Sequence, residues 1–214
     1  MAPSRLGRLQ TEVLHAFFRH EKRFFLTGGA ALAGFYLGHR DTEDLDFFAT
    51  SNILDDADHA LRDVVVELGA TLESPKTFQT FRRRIVRRGD EAVIVDLVFD
   101  QAPQIFAEKP TIDGIRIDPP EEILANKLCT LLSRCEIRDL VDVMHLERSG
   151  LRVEDAISNA SRKDGGATPG QIAWVLSQIS IGDEARLPGG VAPAEMRRFL
   201  EDLQVRLGRL AFPS

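Results

Sequence analysis

The sequence predicts an α+β protein: a mixed sheet with helices over residues 1–118, followed by a helical lobe over 119–214. Three observations predict it. Short apolar runs rich in Phe, Val and Ile alternate with helical patterns as far as Phe99. Gly89-Asp90 separates two such runs as a two-residue hairpin connection with Gly first. From Asp118-Pro119-Pro120-Glu121-Glu122 onward the apolar positions recur only at helical spacing, and that stretch is itself a helix start, with proline and acids where the first turn favours them.

Taken in order, Leu6, Leu9, Val13 and Phe17 mark a first amphipathic helix over 5–20. Phe24-Phe25-Leu26-Thr27 reads as a short buried strand stopped by Gly28-Gly29. Ala30 to Leu37 is rich in good helix formers and closes at Gly38. A second strand follows at Asp44–Phe48, then a helix over 52–68 that turns Ile53, Leu54, Ala57, Leu61 and Val65 inward and ends at Gly69. Phe78–Arg88 and Ala92–Phe99 are the arms of the hairpin, and a small strand is expected at Ile115–Ile117. The helical lobe is expected to hold helices near 120–133, 137–148, 153–163, 169–179 and 192–209, with Trp174 in its core.

Composition narrows the function classes. Hydrophobic residues at 43% and charged residues at 28% are ordinary for a globular chain, which argues against disorder. No run approaches the roughly 18 apolar residues of a membrane helix, and the first residues lack the apolar stretch of a signal peptide. Cys129 and Cys135 do not make a disulfide framework; on one helix they would lie about 9 Å apart, so a reducing cytoplasm is the expected compartment. A net charge of −6 disfavours coating of nucleic acid by bulk charge and leaves room for a local basic site.

The chemistry concentrates in the first hundred residues. A glycine pair between strand and helix, Gly28-Gly29, lets backbone N–H groups approach a phosphate. Asp44 and Asp46, at i and i+2 on a strand, project from one face while Leu45 turns to the core. Carboxylates so spaced share hard cations such as Mg²⁺ or Mn²⁺, which take oxygen ligands. Asp96 is a lone acid in the apolar run Ala92–Phe99, where an unpaired carboxylate costs several kcal/mol, about 3–5, so it is the candidate third ligand. Arg40 reads either as a surface loop charge or as a contact to a triphosphate. Phe81-Arg82-Arg83-Arg84-Ile85-Val86-Arg87-Arg88 is the strongest positive cluster: either a charged edge strand or a ridge, with Arg82, Arg84 and Arg88 on one face, that tracks an RNA backbone. In the second lobe Lys127 rises from an apolar helix face, and Arg138, Asp142 and His145 form an i, i+4, i+7 stripe.

Three stretches together resemble the AbiEii/AbiGii-type nucleotidyltransferase toxins, within the superfamily that includes DNA polymerase beta. They are Leu26–Leu32, Leu37–Phe48, and Pro120–Leu128 running into Arg138-Asp139-Leu140-Val141-Asp142. Asn126 and Thr42 stand where that family more often carries Glu and Ser. The resemblance, over about residues 20–148, implies a minimal nucleotidyltransferase fold and a helical lobe that closes the nucleotide cleft. It implies transfer of a nucleotide from a nucleoside triphosphate to an acceptor, often a tRNA 3′ end, with pyrophosphate released and a cognate antitoxin relieving the block. By position it assigns Asp44 and Asp46 to the metal, Gly28 and Gly29 to the phosphates, and Lys127 with Asp139 or Asp142 to completing the catalytic site. With Asp96 as third metal ligand, the expected nucleotide contacts are Gly28, Gly29, Arg40, Thr42, Lys127 and Arg138. A small-molecule acceptor, and a catalytically silent nucleotide- or partner-binding module, are the rival readings. The preferred triphosphate is not written in the sequence.

Overall fold

The structure, a computed structural model, describes residues 3–212. The chain divides into two compact units: one runs through Gln101 and takes in Phe106–Pro119, and the other comprises Ala102–Ile105 with the chain from Pro120 onward.

The first unit is built on a five-stranded sheet in the order β1-β2-β5-β4-β3. Its strands are β1 (Phe25–Thr27), β2 (Asp44–Ala49), β3 (Thr71–Thr77), β4 (Phe81–Arg88) and β5 (Glu91–Phe99). β2 and β5 run parallel; every other neighbouring pair is antiparallel. Period-two alternation decides which face is core. Leu45 and Phe47 on β2, Val93, Val95 and Leu97 on β5 and Val86 on β4 are buried. Against them pack helices α1 (Arg8–His20) and α3 (Leu54–Leu68). Phe17 of α1 stacks on Phe47 at 4.4 Å between ring centres, with Phe18 edge-on to both and Phe24 edge-on to Phe17. Such aromatic pairs add about 0.5–1.5 kcal/mol beyond their burial. Their alternate neighbours, Asp44, Asp46, Asp96 and Arg83 among them, stand on the other face.

Three local features depart from the sequence expectation. The helix expected over Ala30–Leu37 begins at Gly28 as α2 (Gly28–Ala31) and widens into a π-helical turn at Leu32–Tyr36. Gly34 lies within that turn, where a Cβ would come within 2.7 Å of Leu6 Cδ1. Strand β3 was not expected: it is polar, largely exposed and carries Pro75, which an edge strand tolerates. Strand β4 starts at Phe81 rather than Phe78, because Phe78 to Phe81 is a turn closed by the Phe78 N–H donating to the Phe81 carbonyl at 2.8 Å. The small strand near Ile115 is one arm of a hairpin, β6 (Thr111–Ile112) with β7 (Ile115–Arg116), around Asp113-Gly114. Both turn residues take positive φ, 51° and 81°, as a tight primed turn requires.

The second unit is helical: α4 (Pro120–Ser133), α5 (Ile137–Arg148), α6 (Val153–Lys163), α7 (Pro169–Ser177) and α8 (Pro193–Ala211). α4 packs on α5, α6 and α7, and α7 on α8. The buried Glu122 of α4 accepts the Ile105 N–H at 3.0 Å and pairs with Lys163 at 2.5 Å, tying the Ala102–Ile105 segment and α6 to one carboxylate. Trp174 is not core. Ile172 and Leu176, an i,i+4 pair, take the inward stripe of α7 and leave Trp174 59% exposed between them. Among the described residues no helix is long and apolar enough to cross a membrane.

Candidate active site

β2 and β5 bring three acids together. With Leu45 and Phe47 committed to the core, Asp44 and Asp46 point to the opposite face, and the parallel register sets Asp46 beside Asp96. Carboxylate oxygens of Asp44, Asp46 and Asp96 lie within 4.8 Å of one another. Asp44 and Asp46 are half-buried and Asp96 is buried. Left alone, three such charges would repel and drive protonation. As a donor set of hard oxygens with two partly open members, they fit a Mg²⁺- or Mn²⁺-sized cation that also keeps bonds to substrate.

The glycine pair is fitted to these acids atom by atom. Gly28 has φ +65°, and a Cβ there would sit 2.3 Å from Asp46 Oδ2. A Cβ on Gly29 would sit 2.6 Å from Arg40 Nη2 and 3.3 Å from Thr42 Oγ1. Arg40 is not a surface charge: it is 5% exposed, and its Nη1 donates to the Asp41 carbonyl at 3.0 Å. The Thr42 hydroxyl donates to Asp44 Oδ1 at 3.0 Å, and Gln10 Nε2 donates to the Thr42 carbonyl at 2.9 Å. Gly28, Gly29, Arg40, Thr42, Asp44 and Asp46 thus form one contiguous patch. A cavity of about 470 Å³ opens beside Thr42 and Ile94, the strand partner of Asp44, with Gln10, Ile85 and Val93 also in its wall.

One member was missed at the sequence level. Arg83 lies opposite Asp96 across β4 and β5 and clamps it with two parallel hydrogen bonds, Nε at 2.8 Å and Nη2 at 2.6 Å. The hydrogen bond to Asp96 is the main cause holding the guanidinium above its ordinary pKa. Partial burial opposes it, and the charges of Asp96, Asp44 and Asp46 add to it. Arg83 is thus a counter-charge to Asp96 first and, more weakly, to Asp44 and Asp46. Its place was legible: the two-residue hairpin pairs Arg88 with Glu91, and counting back along both arms arrives at Arg83 opposite Asp96.

The other arginines of that strand are engaged inside the unit. Arg84 is buried and grips both oxygens of Asp58 on α3 at 2.6 and 2.8 Å. Arg82 bonds Asp58, Asp55 and the Leu54 carbonyl, and Arg88 pairs with Glu12 on α1. Arg82, Arg84 and Arg88, expected as an RNA ridge, do share a face, but it is the face that α1 and α3 cover. In the helical unit Lys127 is buried, its Nζ 2.7 Å from both Asp139 Oδ1 and Asp142 Oδ2, while Arg138 pairs with Glu136 at 2.5 Å. Burial, the largest influence, pushes the Lys127 pKa down, but the charges of Asp142 and Asp139 and their hydrogen bonds outweigh it and leave the pKa raised.

A protein-family model described as the nucleotidyl transferase AbiEii toxin of a Type IV toxin–antitoxin system matches residues 13–209. The chain belongs to the AbiEii family. Members of that family are nucleotidyltransferases, and the chain is one. No curated protein sequence matches it significantly. Among solved structures it is similar to JHP933 from Helicobacter pylori, at 21% identity and TM-score 0.58, over 95% of this chain and 92% of that one. It is also similar to MenT4, a nucleotidyltransferase toxin from Mycobacterium tuberculosis H37Rv, at 15% identity and TM-score 0.56, over 96% of this chain and 82% of that one. The antibiotic-resistance factor ANT(2'')-Ia is similar at 17% identity and TM-score 0.51, over 73% of this chain and 91% of that one. At such identities the likeness is one of fold, and the AbiEii fold is the mixed sheet and helices seen here.

Proposed function

We propose that this AbiEii-family nucleotidyltransferase acts in the cytoplasm as the toxin of a toxin–antitoxin pair. It uses Mg²⁺ (or Mn²⁺) to transfer a nucleotide from a nucleoside triphosphate to the terminal hydroxyl of an RNA, with tRNA as the acceptor. A cognate antitoxin relieves the block. The observation that carries the reading is the convergence of Asp44, Asp46 and Asp96 beside a glycine that only a missing Cβ allows to touch Asp46. The family match supports the toxin role.

Asp44, Asp46 and Asp96 are the residues that would hold the cation. When bound, it supplies positive charge against the triphosphate and the departing pyrophosphate. The acceptor oxygen forms its bond to the α-phosphorus as the bond to pyrophosphate breaks, and its proton passes to Asp96. Each Asp96 oxygen keeps a lone pair beyond the one taken by Arg83, so the arginine orients the base without filling it. Gly28 and Gly29 admit the triphosphate next to the acids, with Thr42 steadying Asp44 and Arg40 adding charge behind Gly29. In the helical unit the same reading gives Lys127 and Arg138 to the nucleotide and Lys127 with Asp139 or Asp142 to completing the catalytic site. The double pairing of Lys127 favours a role in holding α4 to α5.

The test is incubation of the purified protein with each labelled triphosphate, Mg²⁺ and total RNA, followed by gel separation. The wild type is expected to label small RNA, and Asp44→Ala to label none while keeping its circular dichroism spectrum. Undiminished labelling by Asp44→Ala would overturn the site.

A further inference from the structure

The acid face of the sheet continues past the triad. Register places Asp46, Asp96, Arg83 and Lys76 in one row across β2, β5, β4 and β3. The next row along the strands is apolar: Phe48, Val98 and Phe81. It ends at the β3–β4 turn, where Phe78 is 61% exposed. The Phe78 ring stacks on Phe81 with 6.4 Å between centres and 28° between planes. Arg83 bridges the rows: its guanidinium carbon lies 6.0 Å from the centre of the Phe81 ring while it holds Asp96. One side chain therefore separates the proposed proton acceptor from an aromatic surface that continues to an exposed ring. Lys76 is exposed beside it, with no ion pair for its ammonium among the described residues.

A phenylalanine left 61% exposed on a turn gains only part of the stabilisation that full burial would give. An aromatic face flanked by cationic side chains is the arrangement on which unpaired bases stack while their phosphates are neutralised. We propose that Phe78, backed by Phe81, is the stacking platform for the terminal base of a single-stranded RNA acceptor, with Lys76 taking a backbone phosphate and the ribose hydroxyl directed to Asp96. The inference deepens the function proposed above and rests on it. It gives the acceptor-binding role to Phe78 and Lys76 in place of Arg82, Arg84 and Arg88, whose guanidiniums the fold has already engaged.

The test reads binding apart from transfer. A short unstructured RNA with a 5′ fluorophore is titrated with the full chain in the absence of triphosphate, and anisotropy is followed over a series of salt concentrations. Phe78→Ala is expected to weaken binding about 5- to 150-fold at fixed salt, the loss of one base-stacking contact. It should leave the slope of affinity against salt unchanged. Phe78→Trp should restore affinity, and Lys76→Gln should lower the salt slope by about 0.7, one phosphate of a single strand. The platform is overturned if Phe78→Ala binds like the wild type, if Phe78→Trp is as weak as Phe78→Ala, or if the wild type does not bind the RNA. A Phe78-dependent affinity without nucleotide transfer to RNA supports the platform and removes the RNA-transferase reading. Transfer to RNA that ignores Phe78→Ala does the reverse.

Discussion

Replacing Gly28 with alanine separates the backbone's needs from those of the site. Two glycines hold nearly the same left-handed conformation, Gly28 at φ +65° and Gly69 at φ +60°. At either, an alanine costs about 1–2 kcal/mol of backbone strain. Their surroundings differ completely. A Cβ on Gly69 meets nothing within 4 Å, whereas one on Gly28 lies 2.3 Å from Asp46 Oδ2, against a floor of 3.0 Å for real Cβ contacts. The Asp46 carboxylate must therefore retreat by at least about 0.7 Å, and a displacement on that scale at a reacting centre costs on the order of 100-fold in rate. A carboxylate rotates easily, so the added stability cost is small and the loss falls on the triad. Urea unfolding should place both variants about 1–2 kcal/mol below the wild type. Mn²⁺ titration followed by electron paramagnetic resonance should show weakened binding in Gly28→Ala alone, and nucleotide transfer should fall only there. If Gly28→Ala binds Mn²⁺ and turns over like Gly69→Ala, Asp46 is not a ligand.

Two further expectations concern buried charge. Asp58→Ala leaves Arg84 buried and uncompensated, and should cost about 3–5 kcal/mol in urea unfolding of the purified protein. Burial, the largest influence on Asp58, pushes its pKa up, but the hydrogen bonds from Arg84 and Arg82 outweigh it, so the folded pKa lies below the unfolded one. The Asp58 contribution is thus complete above the unfolded value, about pH 3.9, and is lost as the pH falls below it; an acid titration of stability in wild type against Asp58→Ala checks this. Lys127→Met takes from the buried Asp139 and Asp142 the ammonium that both hold at 2.7 Å, and should likewise cost about 3–5 kcal/mol. Because the folded Lys127 pKa is raised, its contribution is full below the unfolded value of about 10.4 and fades as the pH climbs beyond it. A flat difference between wild type and Lys127→Met across that alkaline range would refute the assignment.

What the sequence made legible, and what it hid, follows from which residues alternate. Leu45 and Phe47 announce the core, so the outward direction of Asp44 and Asp46 follows without a structure. Asp96 stood out because its neighbours on β5 are apolar. Strand β3 gave no such signal: on an exposed edge Thr71 to Thr77 need no inward face, and they are held by backbone pairing with β4 together with Arg84, which donates to the Lys76 carbonyl, and Arg87, which pairs with Glu73. The π-helical turn at Leu32–Tyr36 shares the Ala- and Leu-rich composition of an α-helix, so composition does not tell the two apart, and the close seat of Leu6 over Gly34 is a tertiary contact. Arg82, Arg83 and Arg84 look alike as letters. Their separate roles depend on which sheet face α3 covers, and Asp58 is decisive only once α3 is folded over β4.

The direct opposition of Asp46 and Asp96 on parallel strands ties heredity of the site to heredity of the fold. Adding or deleting one residue within β2 or β5 would turn an acid toward α1 and α3 and expel a Val, Leu or Phe in its place. Changes in chain length would therefore be eliminated for instability before loss of activity was ever tested. Residues added at the exposed turns, such as Gly89-Asp90 or Asp113-Gly114, would leave that register untouched. The spacing that sets those acids side by side is inherited with the hydrophobic core or not at all.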